Sequence, residues 1–281
     1  MVTRIPTALS SRFRRVTDAL VEFGDQFAFY ARCVASVPKT LKSYGGQVVK
    51  LLGEISFGSA ALLAGGGTVG VVFAMAFISS AQVGLEGQRG LSLIGLSPFA
   101  GLMSALVNTR ELAPIVASVA LAAKVGTGFT AQLGAMRISE EIDALEVMAI
   151  RSMPFLVTTR MIAALIAVFP LYLLGLFSSY LATRVTVVYL GGQAEGTYDY
   201  YFQLLLAPRD VFLSLLKALI FAVVVTLVHC YYGYNAKGGP EGVGRAAGRA
   251  LRTSLVAIIM IDMILTFTFW GLTPQLPGVG S

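Results

Sequence analysis

A short acidic stretch between two long apolar runs is the part of this chain best suited to chemistry. It joins four carboxylates to apolar residues at helical spacing, and comprises Ser139, Glu140, Glu141, Ile142, Asp143, Leu145, Glu146 and Met148. Ionised carboxylates are costly in hydrocarbon, so the stretch must meet water, the membrane interface or a protein partner. Its chemistry is ionic recognition, because metal or acid–base catalysis recruits further groups at defined spacing.

The acidic stretch predicts a short helix. Ser139 is the expected N-cap, and Glu140 falls in the first turn, where the helix dipole favours negative charge. Ile142, Leu145 and either Met148 or Ala149 would then share one face. Such a helix, parallel to the membrane between two spans, can insert into a groove on a cytosolic partner. A solvated acidic loop is the alternative, and the residues alone leave both open.

A second set of ionisable residues lies within the apolar runs. Arg110 and Glu111 precede Pro114, and Lys124 follows Glu111 at about 20 Å along a helix. Asp262 interrupts the last run, where it either pairs with a partner helix or lines a polar path. Charges at membrane depth are usually paired or functional.

Two interpretations of these charges stay open. The first is a set of polar contacts that hold helices around a cavity. The second is a helix break at Arg110 and Glu111 near an interface, with the Lys124 side chain extending toward the cytosol. The second is preferred for Lys124, and Glu111 is undecided between them.

Catalytic and phosphate-binding motifs are missing from the sequence. The chain has no GxxxxGK[ST], GxSxG or HExxH pattern, so we expect no bound cofactor, no metal site and no catalytic residue. His229 is the only histidine, and we expect a hydrogen-bonded role in helix packing. Cys33 and Cys230 are far apart in sequence, which predicts two free, buried thiols.

The elements that carry these residues are predicted to be membrane helices. The 281 residues are 56% hydrophobic and 13% charged, with a mean hydropathy of +0.76, whereas soluble domains carry about 25% charged residues. Long continuous apolar runs exclude the short alternating strands of a membrane barrel. The predicted fold is an all-α integral membrane protein with an N-terminal interfacial helix, a coupling helix and five spans, near residues 57–82, 97–130, 155–187, 211–234 and 252–271.

The first 56 residues form a basic N-terminal segment. No cleavable signal peptide is predicted there. Apolar residues recur at helical steps from Phe13 through Phe23 and Phe27 to Tyr30, which indicates an amphipathic helix in the membrane interface. A soluble helix packed on the protein is the alternative.

The distribution of basic residues predicts the orientation. It places the N-terminus and the acidic stretch in the cytosol, and the tail at 273–281 outside. The membrane domain is predicted at 57–272. The net charge of +6 follows from this topology, so no nucleic-acid partner is needed.

Several long motifs resemble the MlaE/YrbE permease family. They are the stretches Glu111–Pro114, Ala122–Gly126, Ala131–Met148 and Tyr232–Arg245. The resemblance covers about residues 40 to 272. Details in Gly196–Phe202 and Tyr231–Tyr234 are similar to the B-type YrbE subunits of Mce lipid importers.

The resemblance implies a permease subunit of an ABC transporter that passes a fatty acid, sterol or phospholipid across the bacterial inner membrane. A separate cytosolic ATPase dimer, which binds ATP and Mg²⁺, would dock on Ser139–Met148 as the coupling helix. A second, A-type permease subunit and MCE-domain proteins are the other implied partners. Lys124 stands where many relatives have arginine, which puts a bidentate role at that position in doubt. An autonomous secondary transporter and a membrane-bound lipid-modifying enzyme are the competing functions.

Overall fold

The structure, a computed structural model, describes Val21, residues 24–57 and residues 67–271. This part of the chain is helical with short connections and contains no β-strand. Its helices are α1 (residues 24–35), α2 (Val37–Phe57), α3 (Gly67–Leu93), α4 (Ser97–Ile138), α5 (Glu141–Val147), α6 (Met153–Leu190), α7 (Glu195–Leu205), α8 (Pro208–Tyr234) and α9 (Gly239–Trp270). Five of them, α3, α4, α6, α8 and α9, are long and apolar enough to cross a membrane. The predicted all-α membrane fold with five spans is confirmed.

The ends of the spans differ from the prediction. α3 continues to Leu93, so Arg89 lies within the helix, paired with Glu86 at 2.9 Å, and not in a loop. The predicted start of the first span, near residue 57, stays a prediction, because α2 ends at Phe57 and residues 58–66 lie outside the described part. α9 begins at Gly239, well before residue 252. Hydropathy locates the apolar part of a helix, whereas the helix itself continues through charged residues into water.

The connection predicted at 188–210 contains a helix that the sequence analysis missed. α7 packs on the first turns of α4, where Tyr198 is buried and its hydroxyl donates to Ser104 Oγ at 2.9 Å. Burial raises the pKa of Tyr198 to about 12. Arg184, near the end of α6, holds the other side of α7 through Asp199 at 3.0 Å.

The long helices form one bundle with α6 and α8 at its centre. α6 packs between α2, α3 and α8, while α8 packs against α4, α6 and α9. The most apolar part of α6 is 61% buried, whereas that of α9 is 17% buried. α9 is therefore a peripheral helix with a large unpartnered face. We call the end where α4 and α8 finish the α5 end, and the opposite one the α7 end.

The N-terminal helices pack on the α5 end of the bundle. Phe29 and Cys33 are buried, and the rings of Phe29 and Tyr231 lie 5.4 Å apart. On another face of α1, Phe27 remains 68% exposed. The interfacial helix stays a prediction. Its described part packs on the protein but leaves the Phe27 ring exposed for contact with the membrane interface, and Phe13 and Phe23 lie outside the described residues. The predicted tail at 273–281 also lies outside them.

Candidate functional site

The acidic stretch forms α5, a two-turn helix bracketed by unusual backbone. Glu140 before it has φ 59° and Ala149 after it has φ 60°, both in the left-handed region. Residues with a side chain adopt this region infrequently, and such conformations concentrate at functional sites. The two residues turn the chain out of α4 and then back toward α6.

The prediction that Ser139 caps α5 is wrong. Its hydroxyl and its amide both donate to Ala135 O at 3.0 Å, so Ser139 closes the last turn of α4. α5 starts instead from left-handed Glu140, whose carbonyl accepts the amide of Ala144 at 2.9 Å. A serine hydroxyl bonds readily to the carbonyl four residues before it, which here competes with the cap.

The predicted single apolar face of α5 is also wrong. Ile142 is fully buried and Leu145 is half-buried against the core of the same chain, whereas Met148 is exposed. The turn at Ala149 ends the helix and leaves Met148 beyond its last turn, outside the core. Val147, which the prediction did not include, is 88% exposed.

The exposed surface of α5 is therefore different from the one predicted to meet a partner. Exposed Ala144, Val147 and Met148 make a small apolar tip. Glu140 and Glu141 are exposed beside it. Of the two alternatives left open by the sequence, an apolar tip with an acidic rim favours a helix that inserts into a protein groove over a solvated loop.

Three side-chain contacts fix α5 to the long helices. Arg137 of α4 donates to Asp143 Oδ1 at 2.6 Å. Glu146 accepts the hydroxyl of Ser152 at 2.6 Å and that of Tyr234, at the end of α8, at 3.4 Å. The Ser152 and Tyr234 hydroxyls lie 2.8 Å apart. A displacement of α5 therefore pulls on α4, on the start of α6 and on α8.

A cluster of charged residues joins α4, α8 and α9 toward the α7 end. The Lys217 side chain is fully buried, with its ammonium 2.6 Å from Asp262 Oδ1 and 3.2 Å from Glu111 Oε2. It also donates to Thr266 Oγ1 at 2.8 Å, and Thr266 in turn donates to Glu111 Oε1 at 2.9 Å. We call Arg110, Glu111, Asp210, Lys217 and Asp262 the charge cluster.

The rim of the charge cluster is an arginine–aspartate pair under a tryptophan. Arg110 donates through Nε and Nη2 to Asp210 Oδ2 at 2.9 and 2.7 Å. The Trp270 indole donates to Asp210 Oδ1 at 2.8 Å, and its ring lies 5.2 Å from the Arg110 guanidinium. Charge-assisted bonds of this kind are among the strong ones in proteins.

Pro114 explains why α8 approaches α4 here. Proline has no N–H, so residue 114 cannot bond the carbonyl of Arg110 in an α-helical turn or that of Thr109 in a π-helical turn. α8 supplies both donors: Lys217 Nζ lies 2.9 Å from Arg110 O, and Ser214 Oγ donates to Thr109 O. The helix passes through Asn108–Leu112 as a π-helical segment. Of the two interpretations left open for Arg110 and Glu111, the helix break is therefore not borne out.

The structure brings together three of the four predicted cavity candidates. Glu111 and Asp262 meet at Lys217, and Pro114 lies one turn beyond Arg110, whose carbonyl Lys217 bonds. Lys124 is exposed in the next π-helical segment and has no ion pair among the described residues. Sequence reasoning missed Lys217 and Asp210. The available signal was a lysine a few residues inside the fourth apolar run.

The predicted packing role of His229 is confirmed. The ring is fully buried between α4 and α9, with Nδ1 2.9 Å from Thr130 Oγ1 and Nε2 3.3 Å from Ser254 Oγ. A Cβ added at Gly126 would lie 2.6 Å from the ring. Cys33 and Cys230 are also free and buried, as predicted.

A family model for the permease MlaE matches residues 57–268, three quarters of the chain. The chain belongs to the MlaE permease family. The match includes α5, the charge cluster and the five candidate spans except for the last two residues of α9.

Known relatives agree with this family assignment. A probable ABC transporter permease of Rickettsia bellii is 31% identical over 96% of this chain and 99% of its own. A probable ABC transporter permease of Synechocystis is 31% identical over 69% of this chain and 75% of its own. The Arabidopsis thaliana protein named trigalactosyldiacylglycerol 1, chloroplastic, is 28% identical over 72% of this chain and 55% of its own.

As an MlaE-family permease, the chain is a multi-pass membrane subunit of an ABC transporter and is not itself the catalytic subunit. A permease of this kind works with an ATPase partner.

Proposed function

We propose that this chain is the permease subunit of an ABC-type lipid transporter, driven by an ATPase that docks on α5. The observation that carries the proposal is α5 itself. It is a short helix with an exposed apolar tip, an acidic rim and direct contacts to α4, α8 and the start of α6.

The long helices supply a route for the motion. α4 connects α5 to the charge cluster, since Ile138 and Glu111 are 27 residues apart, about 40 Å along a helix. Because the charge cluster holds α4 against α8 and α9, a displacement of α5 moves these helices as a unit. The resulting mechanism is a change in an apolar cavity between two permease subunits when the ATPases close.

The transported molecule is a hydrophobic lipid such as a fatty acid, a sterol or a phospholipid. Two observations support this class. The name of the Arabidopsis relative is that of a glycolipid. The spans expose large apolar faces, as on α9, where Val256 and Ile259 are 62% and 65% exposed. An exposed apolar face suits a lipid better than a polar solute.

The remaining parts of the proposal follow from the family resemblance. A second, A-type permease subunit completes the membrane unit, and MCE-domain proteins receive or deliver the lipid outside. The cytosolic ATPase dimer binds ATP and Mg²⁺. The complex lies in the bacterial inner membrane, with the N-terminus in the cytosol and the C-terminus outside.

Docking at α5 is tested by making its apolar tip acidic. The variant Val147→Asp/Met148→Asp leaves the buried Ile142 untouched. We expect it to insert into the membrane normally and to lose co-purification of the ATPase. The matched control is Leu93→Asp/Ile94→Asp, which changes two equally apolar residues, 87% and 68% exposed, at the α7 end.

The ATPase should co-purify with the control as it does with the unaltered chain. Equal recovery of the ATPase with the α5 variant would contradict the proposal. Lipid release from vesicles that hold the purified complex then tests the transported class separately, because docking can be intact where the lipid assignment is wrong.

A further inference from the structure

The part of α9 that extends beyond the end of α8 carries a row of exposed cations. Arg245, Arg249 and Arg252 are spaced by four and three residues, which places them on one face of the helix. With Lys237 they line a groove of about 860 Å³ whose floor includes Gly244 and Gly248. We call this groove the α9 basic groove.

The α9 basic groove has more positive than negative charge. Its single carboxylate, Glu241, pairs with Arg245 at 3.4 Å, and both side chains are mostly exposed. Lys237, Arg249 and Arg252 have no ion-pair partner in the part of the chain that the structure describes. The Arg249 guanidinium lies 6.0 Å from the ring of Tyr232. A bound anion would neutralise this excess positive charge.

The depth of the groove matches the membrane surface. Tyr232 belongs to the last turn of α8, a candidate span, and its hydroxyl lies 3.3 Å from Thr253 Oγ1 of α9. Arg249 and Arg252 are therefore level with the end of a membrane helix, where aromatic and basic residues meet the lipid headgroups.

The same face of α9 becomes apolar immediately beyond the arginines. Val256, Ile259 and Met263 continue the row and are 62%, 65% and 50% exposed. From Val256 to Met263 is about 10 Å along the helix, much of the depth of one leaflet, which is about 15 Å. The arginines would thus lie beside the headgroup of a phospholipid, and the apolar strip would lie along its acyl chains.

We propose that the α9 basic groove binds an anionic phospholipid of the leaflet at the α5 end. Basic residues between or beside membrane helices attract anionic headgroups. A second copy of this chain is a poorer occupant, because a symmetric contact would set each arginine row against its own copy. The proposal goes beyond lipid transport and does not depend on which lipid is carried.

Native mass spectrometry of the full-length chain, isolated with its co-purifying subunits, tests this proposal. The chain is placed in nanodiscs that contain equal amounts of phosphatidylglycerol and phosphatidylcholine with the same acyl chains. We expect retained lipid to be enriched in phosphatidylglycerol. Arg249→Gln/Arg252→Gln should lower that enrichment about thirtyfold, since each basic residue near the headgroups contributes about 1 kcal/mol.

The matched control is Arg89→Gln/Arg209→Gln, which removes the same charge at the α7 end and should retain the enrichment. Arg249→Lys/Arg252→Lys keeps the charge and should retain most of it. If the double glutamine variant does not fold, Arg252→Gln alone should lower the enrichment about fivefold.

Three results would overturn the proposal. The first is equal retention of the two lipids by the unaltered chain. The second is unchanged enrichment in the glutamine variants. The third is a variant that dissociates from a permease partner without any change in lipid, which would make the groove a subunit interface.

Discussion

The ammonium of Lys217 on α8 lies 2.6 Å from the carboxylate of Asp262 on α9, and the lysine side chain is fully buried. A cation so placed within an apolar span is stable only if its charge and its N–H groups are satisfied. Lys217 meets this condition through Asp262, Glu111, Thr266 and the carbonyl of Arg110. Lys217 thus joins α4, α8 and α9 toward the α7 end.

Replacing Lys217 should therefore destabilise the protein strongly. Lys217→Met keeps the side-chain volume but leaves Glu111 and Asp262 without their cation. Loss of one member of a buried ion pair costs about 3–5 kcal/mol. We expect the melting temperature of the detergent-solubilised chain, measured by size-exclusion chromatography after heating, to fall sharply.

A compensated variant separates charge from packing at the same position. In Lys217→Met/Glu111→Gln/Asp262→Asn the amides keep hydrogen-bonding groups and carry no charge. Most of the lost stability should return, because no uncompensated charge remains. A triple variant as unstable as Lys217→Met would show that the lysine contributes through packing and not through its charge.

A close approach of α8 to α4 at the α5 end depends on Gly233. A Cβ at this position would lie 2.9 Å from the backbone oxygen and the Cα of Thr130, and backbone cannot move aside. Gly233→Ala should destabilise the chain by about 1–3 kcal/mol. Gly128→Ala is the control, since a Cβ there has nothing within 4 Å. Alanine favours a helix by about 1 kcal/mol over glycine, so equal melting temperatures for the two variants would contradict this packing.

The five spans could be predicted from sequence because hydrocarbon requires long apolar runs. Their ends could not. Arg89 and Arg245 lie in helices that extend beyond the apolar residues, and hydropathy does not detect such extensions. α7 was missed for a related reason: at 11 residues it is too short to span a membrane, so a search for long apolar runs does not detect it.

The candidate site was predictable as a set of residue types but not as a geometry. Glu111 and Asp262 are conspicuous in an apolar chain. Their common partner Lys217, however, lies about a hundred residues after Glu111 in the sequence. Tertiary pairing over such distances has no local signal. At α5 the acidic character was visible, whereas the inward turn of Ile142 depends on left-handed backbone at Glu140, which propensity does not predict.

Cys33 should resist alkylation in the folded protein. Burial, with a smaller contribution from Cys230 nearby, raises the pKa of its thiol to about 12. Only the thiolate reacts, so roughly one molecule in ten thousand is reactive at pH 8, and this fraction rises about tenfold for each pH unit up to the pKa.

Mass spectrometry after iodoacetamide treatment of a Cys230→Ala chain measures this reactivity. Cys33 should be modified slowly at pH 8, faster at pH 10, and at once in denaturant. Ser139→Cys in the same background supplies an exposed thiol and should react rapidly at pH 8. Rapid native modification of Cys33 would show that α1 does not pack on the bundle as described.

Replacing Tyr234 should impair transport without impairing ATPase docking. Its hydroxyl lies 2.8 Å from Ser152 Oγ, which donates to Glu146 of α5, so it connects α8 to the helix that we propose as the docking element. Tyr234→Phe removes only this oxygen and should cost about 1 kcal/mol of stability.

With Tyr234→Phe, the exposed tip of α5 is unchanged, so the ATPase should still co-purify. Lipid movement per ATP hydrolysed should fall several-fold, because α8 no longer follows α5. Tyr232→Phe is the control: Tyr232 lies two residues away on α8 and contacts Thr253 instead of α5. The two variants are compared in reconstituted vesicles by measuring ATP hydrolysis and lipid transfer in the same sample. If Tyr234→Phe lowers both in proportion, the hydroxyl acts on docking or folding, and the contact from Glu146 through Ser152 to α8 is not the route by which the motion travels.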